Sequence, residues 1–253
     1  MTRTLFGAAA LAATVTLACS DGTAPGTGTS VSLSFSTPVA SVSPSLQPVF
    51  GMAGDTLASG GDTLVIDQVQ IVLREIELEL QDHSGCDTVT TGHDACEEFE
   101  AGPVLVDLPL GGAVETAVSI DIPAGTYDEL KFKIHTPEDS DAAFLAAHPD
   151  FAGLTIRVTG SYNGAPFTYT SGLDAEQELP LVPALVVTDG GTATNVTLRV
   201  DVQSWFSVGG QLVNPATGNT GGANESVIKE NVKNSFKAFE DDNRDGQDTD
   251  EGY

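Results

Sequence analysis

Residues 63–81 read TLVIDQVQIVLREIELELQ, and this stretch decides the fold. Leu64 and Ile66 alternate with their neighbours. The phase slips at Asp67-Gln68, and Val69, Ile71 and Leu73 carry it on. A second slip at Arg74-Glu75 precedes Ile76, Leu78 and Leu80. A period of two belongs to a strand, whose successive side chains point to opposite faces, and each slip predicts a bulge or bend. A helix would not hold this alternation. Glu75, Glu77 and Glu79 fall on one face. Such a row could chelate a cation, but it reads as the solvated side of an outer strand.

Working outward, the same pattern recurs. Val31, Leu33 and Phe35 alternate, as do Val118, Ile120 and Ile122, then Leu130, Phe132 and Ile134 with Lys131 and Lys133 facing out. Val104–Leu108 and Val196–Val202 add further strands. Ile122-Pro123-Ala124-Gly125 carries a type I turn signature. Asn163-Gly164, between Ile156–Tyr162 and Phe167–Tyr169, is a strong two-residue hairpin signal. Many short strands with turns between them predict an all-β fold, an antiparallel β-sandwich. Two helices are expected beside it. Asp141–His148 is a short one that stops before Pro149. Asn224–Phe239 is longer, with Ile228, Val232, Phe236 and Phe239 at helical spacing and Lys229, Lys233 and Lys237 as a basic stripe.

The beginning of the chain addresses a compartment. Arg3 precedes an apolar or small run from Leu5 to Ala18, and Cys19 follows it. This reads as a bacterial lipoprotein signal, too short to span a bilayer, with Cys19 as the lipidated first residue after cleavage. Thr16 stands three before the cysteine, where Leu is usual. The expected organisation is a signal peptide at 1–18, a tether at 19–30, and a strand plus a Pro/Ser/Gly-rich connection at 31–62. The β-sandwich with its C-terminal helix (224–239) occupies 63–240, and an acidic tail or calcium loop 241–253. Loss of Arg3 leaves nine basic residues against 36 acidic, a formal −27. Such a chain repels nucleic acid, and the expected partner is a membrane reached through the lipid anchor.

Cys86 and Cys96 remain for an oxidising compartment to pair. His83 and His93 each stand three residues before one of them, so a two-His, two-Cys zinc site is the competing reading. The tail offers another candidate. Asp241, Asn243, Asp245 and Gly246 match positions 1, 3, 5 and 6 of a calcium loop, with Gln247 at the seventh place. Position 12 is Gly252 where a bidentate Glu belongs, and a solvated acidic tail is the other reading. Trp205-Phe206, with Tyr162 and Tyr169, reads as core packing. Exposed, these rings would form a platform for a glycan or peptide, with Trp205 as its ligand-binding residue.

Catalytic signatures are absent: there is no Gly-x-Ser-x-Gly, His-Glu-x-x-His, phosphate loop or dinucleotide fingerprint. The order and spacing of Val69–Leu78, then Gly102-Pro103-Val104-Leu105-Val106-Asp107-Leu108, then Ile122-Pro123-Ala124-Gly125-Thr126-Tyr127 before Leu130-Lys131-Phe132, resembles a bacterial lipoprotein family with domain of unknown function 4382. The resemblance covers about residues 63–135. It implies an exported β-sandwich of immunoglobulin-like or prealbumin-like type and brings no activity. The function expected is a non-enzymatic envelope lipoprotein acting as a binding or structural module, with Ca2+ as its candidate ion. A carbohydrate- or peptide-binding module is the alternative. A hydrolase with a non-sequential site, built on His135 or His148, is a further one.

Overall fold

The computed structural model describes residues 29–38, 55–82, 97–98 and 102–248. They form a mostly-β body of two open sheets with three short helices. Sheet A has the order β14-β11-β1-β6, from β14 (Phe236–Glu240), β11 (Thr194–Val200), β1 (Thr29–Ser36) and β6 (Val114–Ile122). The main path of sheet B is β10-β7-β3-β8-β9, from β10 (Ala175–Val187), β7 (Gly125–Ile134), β3 (Asp62–Leu80), β8 (Ile156–Tyr162) and β9 (Ala165–Ser171). The short strands β2 (Asp55–Ser59), β4 (Glu97–Glu98) and β5 (Val104–Asp107) also pair with β3, and β12 (Ser207–Val208) and β13 (Gln211–Leu212) pair with each other.

The opening stretch is the spine of sheet B. β3 pairs with β8 through its first half and with β7 through its second. The register shifts between Ile66 and Gln68, and again between Arg74 and Glu77, where Glu75 has φ +46°. Both slips in the alternation are thus real irregularities. They let one long strand change partners while Leu64, Ile66, Val69, Ile71, Leu73, Ile76 and Leu78 all stay buried. The Asn163-Gly164 hairpin joins β8 to β9 with both turn residues at positive φ, as a two-residue turn of this type requires. Apolar faces of both sheets share one core, from Val31 and Phe35 in sheet A to Phe132 and Val158 in sheet B.

Three expectations need correction. The compact body does not begin near Thr63, because β1 lies inside sheet A and β2 pairs with the first residues of β3. The sandwich is not wholly antiparallel, since β1 runs parallel to β11 with Val31 opposite Thr194. The long helix is half strand. α1 (Ala142–Ala147) and α2 (Val202–Trp205) precede α3, which covers only Glu225–Lys233 and buries Ile228 and Val232. Phe236 and Phe239 continue the helical spacing but belong to β14, which pairs with the exposed edge of β11. Sheet pairing and the packing of Phe236 on Phe132, 5.3 Å between ring centres, outweigh a weak local preference. The basic stripe dissolves with it. Lys229 pairs with Glu225 on the helix, and Lys237 pairs with Asp248 from the strand.

Candidate functional site

The site begins with the serines of β1. Val31, Leu33 and Phe35 point into the core, so Ser32, Ser34 and Ser36 point outward. Yet those serines are only 5%, 0% and 1% exposed. On the neighbouring strand Asn195 and Thr197 are equally buried. What covers them is the segment after β14. It turns back and runs over the outer face of sheet A from Asn195 toward Ser36.

Small hydroxyls and an amide make this contact because they can satisfy partners at short range, although the Ser36 hydroxyl is buried without one. Ser34 Oγ donates to Asn195 Oδ1 (2.6 Å) and lies 2.9 Å from Thr116 Oγ1. Ser32 Oγ lies 2.9 Å from Ser119 Oγ and accepts from Arg244 Nη2 (3.3 Å). Asn195 Nδ2 donates to the carbonyl of Asp241 (3.0 Å), and Asp242 Oδ1 accepts from Asn195 N and Thr194 Oγ1. Buried polar groups of this kind stabilise only when paired.

Asp241 is the hub. It is 2% exposed, and three donors meet its carboxylate. Asp245 N donates to Oδ1 (3.0 Å), while Gly246 N (3.0 Å) and Thr197 Oγ1 (2.8 Å) donate to Oδ2. Asn243 Oδ1 also accepts from Asp245 N, and Asp245 Oδ1 from Gln247 N. Gly246 has φ +70°, and a Cβ there would lie 2.9 Å from Val114 Cγ2 and 3.2 Å from Ser36 Cβ. Only glycine lets the chain turn this close to the sheet.

Calcium needs six to eight oxygens around one point. Here Asp241, Asn243 and Asp245 spend carboxylate and amide oxygens on backbone N–H groups, and the Gln247 side chain is exposed. Among the described residues no three acidic, histidine or cysteine side chains gather where a metal could sit. The described part forms a hydrogen-bonded turn, and residues 249–253, which include the twelfth place of such a loop, lie outside the described residues.

The outer face of sheet B is built differently. The glutamate row of β3 is not on an outer strand, because β7 lies beside it and β10 beyond. Lys131 pairs with Glu79 and Lys133 with Glu75, and from the other side Glu178 stands opposite Lys131 and Glu176 opposite Lys133. Each lysine sits between acids, and the hydrogen bond it donates to its glutamate holds its pKa above the usual lysine range. Burial, then the nearby Glu79 charge, pushes the Glu129 carboxyl up.

The remaining candidates fall in several places. Trp205 is fully buried, and its Nε1 donates to Ser235 Oγ (2.8 Å). Phe206 packs edge-on to Tyr169 at 5.3 Å. These rings are core, which corrects the reading of Trp205 as a ligand-binding residue. His135 has Asp174 at 3.8 Å, and His148 stacks on Phe144. A cavity of about 10 Å³ between the sheets is lined by Val31, Ser32, Leu33, Ile76, Leu78, Leu130 and Val196. It is too small and too apolar to hold a ligand. Among the described residues no helix is long and apolar enough to cross a membrane. Cys19, Cys86, Cys96, His83 and His93 lie outside the described residues.

The buried serine face and its Asn195–Thr197–Asp241 network were missed by sequence reasoning. One signal was present: the outward residues of β1 are Ser30, Ser32, Ser34 and Ser36, with no long charged side chain among them. Comparison with protein-family models, with curated proteins and with solved structures found no match to this chain.

Proposed function

We propose that this chain is a lipid-anchored, non-enzymatic module of a bacterial envelope, a sandwich of immunoglobulin-like or prealbumin-like type. The observation that carries the reading is the spacing of the first strand from Cys19. β1 starts at Thr29, and its place between β11 and β6 fastens whatever precedes it to the body. Acyl chains on Cys19 would then hold the domain within about 35 Å of a bilayer, the reach of ten extended residues. Palmitate labelling in a lipoprotein-processing bacterium tests this. Label and membrane association are expected for the parent and lost in Cys19→Ala. A Cys19→Ala protein that keeps both overturns the reading.

The glycan-platform alternative loses Trp205 and Tyr169 to the core. Calcium is a second proposal for the loop at Asp241. It is supported by the spacing of Asp241, Asn243 and Asp245 and by the positive φ of Gly246, which the sixth place of such a loop needs. Melting with calcium and with chelator should separate by several degrees. Superimposed transitions without binding heat remove the ion.

A further inference from the structure

Val182 and Val186 are the most exposed large apolar side chains of the described residues, at 73% and 59%. Both lie on β10, an edge strand of sheet B. Between Pro180 and Leu185 this strand leaves its register with β7, so 181–184 form an out-turned knuckle. Leu181, Leu185 and Val187 anchor it in the core, while Val182, Pro183 and Val186 face solvent. Pro180, Pro183 and the break in register blunt this edge against another strand, and the valines form a small apolar surface on it.

The strand's position says what covers them. Val186 lies opposite Thr126 and Val187 opposite Gly125, beside the β6–β7 turn. One residue further, the carbonyl of Thr188 accepts a hydrogen bond from Thr29 Oγ1. Thr29 is the residue at which the tether joins the body. Val186 therefore sits at the tethered end, and the knuckle precedes it on β10, opposite the residue between Tyr127 and Glu129. Ten residues reach about 35 Å at most. Eight residues of β1 run about 27 Å to the opposite end. At that far end β11 leads into α2, and α3 packs there through Asn231 Nδ2 on the carbonyls of Trp205 and Ser207. The tethered end is thus the one held at the lipid.

We propose that the Val182–Val186 knuckle is a membrane-docking surface, resting on the bilayer that holds the protein's own acyl chains. This rests on the anchoring reading above. The excess of acid over base in the chain excludes anionic head groups and selects a zwitterionic phospholipid surface.

The test uses the acylated full-length protein in phosphatidylcholine vesicles with brominated acyl chains. Val186→Trp is compared with Val227→Trp, which places the same probe at an exposed site on α3, and the buried Trp205 signal of the parent is subtracted. The expected result is quenching several-fold greater at position 186, with a blue-shifted emission. A serine pair, Val182→Ser with Val186→Ser, should raise protease access to the 181–187 segment on vesicles but not in detergent. Equal quenching at 186 and 227, or greater quenching at 227, overturns the docking. Intact mass of the same preparation reads the anchor separately. A missing acyl mass ends both proposals, whereas an acyl mass with equal quenching ends this one alone.

Discussion

The outer faces of the two sheets are built from opposite chemistry. Around Ser34, sheet A presents serine, threonine and asparagine, all short, and is sealed there by the chain's own loop. Sheet B presents glutamates and lysines, whose long stems reach across strands while their charged heads stay half in water. Both faces follow from the same alternation, so period alone does not tell a covered face from an open one. Side-chain length does. A short hydroxyl cannot reach far to find a partner and must be met by backbone or by another short group. A lysine can find its own.

The contrast is broken most directly at Asp241. Asp241→Ala strands the Gly246 N–H and the Thr197 hydroxyl under the loop and leaves the Asp245 N–H with Asn243 Oδ1 alone. Urea unfolding should show a loss of about 3 kcal/mol, since each buried donor left unpaired costs about 1–3 kcal/mol and part relaxes into water. An unchanged midpoint would mean the loop does not seal sheet A. Gly246→Ala should cost less, about 1–2 kcal/mol, from a strained φ and a Cβ pressed on Val114. The same measurement reads it.

Sheet B should respond weakly. Lys131→Ala removes a partly screened ion pair, and a loss under about 1 kcal/mol is expected, shrinking in high salt. Its pH dependence has a definite sign. The folded pKa of Lys131 is raised, so its stabilisation is complete below the ordinary lysine pKa and is lost as pH rises through the raised folded value. Parent and Lys131→Ala should converge in stability only in that alkaline window. Convergence at neutral pH would show that the ladder is decorative.

These differences also mark what could be read before the structure. The two slips in β3 were legible because a buried face punishes any error of phase. The Asn163-Gly164 turn was legible because few residues tolerate its backbone. Phe236 and Phe239 were not, since 3.6-residue spacing over two turns also fits a strand whose alternate faces are both covered. Phe239 is 1% exposed on the face shared with Thr197, away from the inter-sheet core. The burial of Ser34 depends on a loop more than 200 residues away, and no local pattern carries that. The Asp-Asn-Asp-Gly spacing was visible, but it specifies a turn as readily as an ion.

The pairing of β1 with β11 sets an order of events in time. Thr194, the register partner of Val31, follows it by more than 160 residues. During synthesis the first strand emerges early and waits, unpaired on that side, while most of the polypeptide is still being made. Pairings this distant close slowly because their loop entropy is spent before the contact rewards it. Sheet A is consequently completed only after residues 194–200 have been made, although β6 can meet the other side of its first strand earlier.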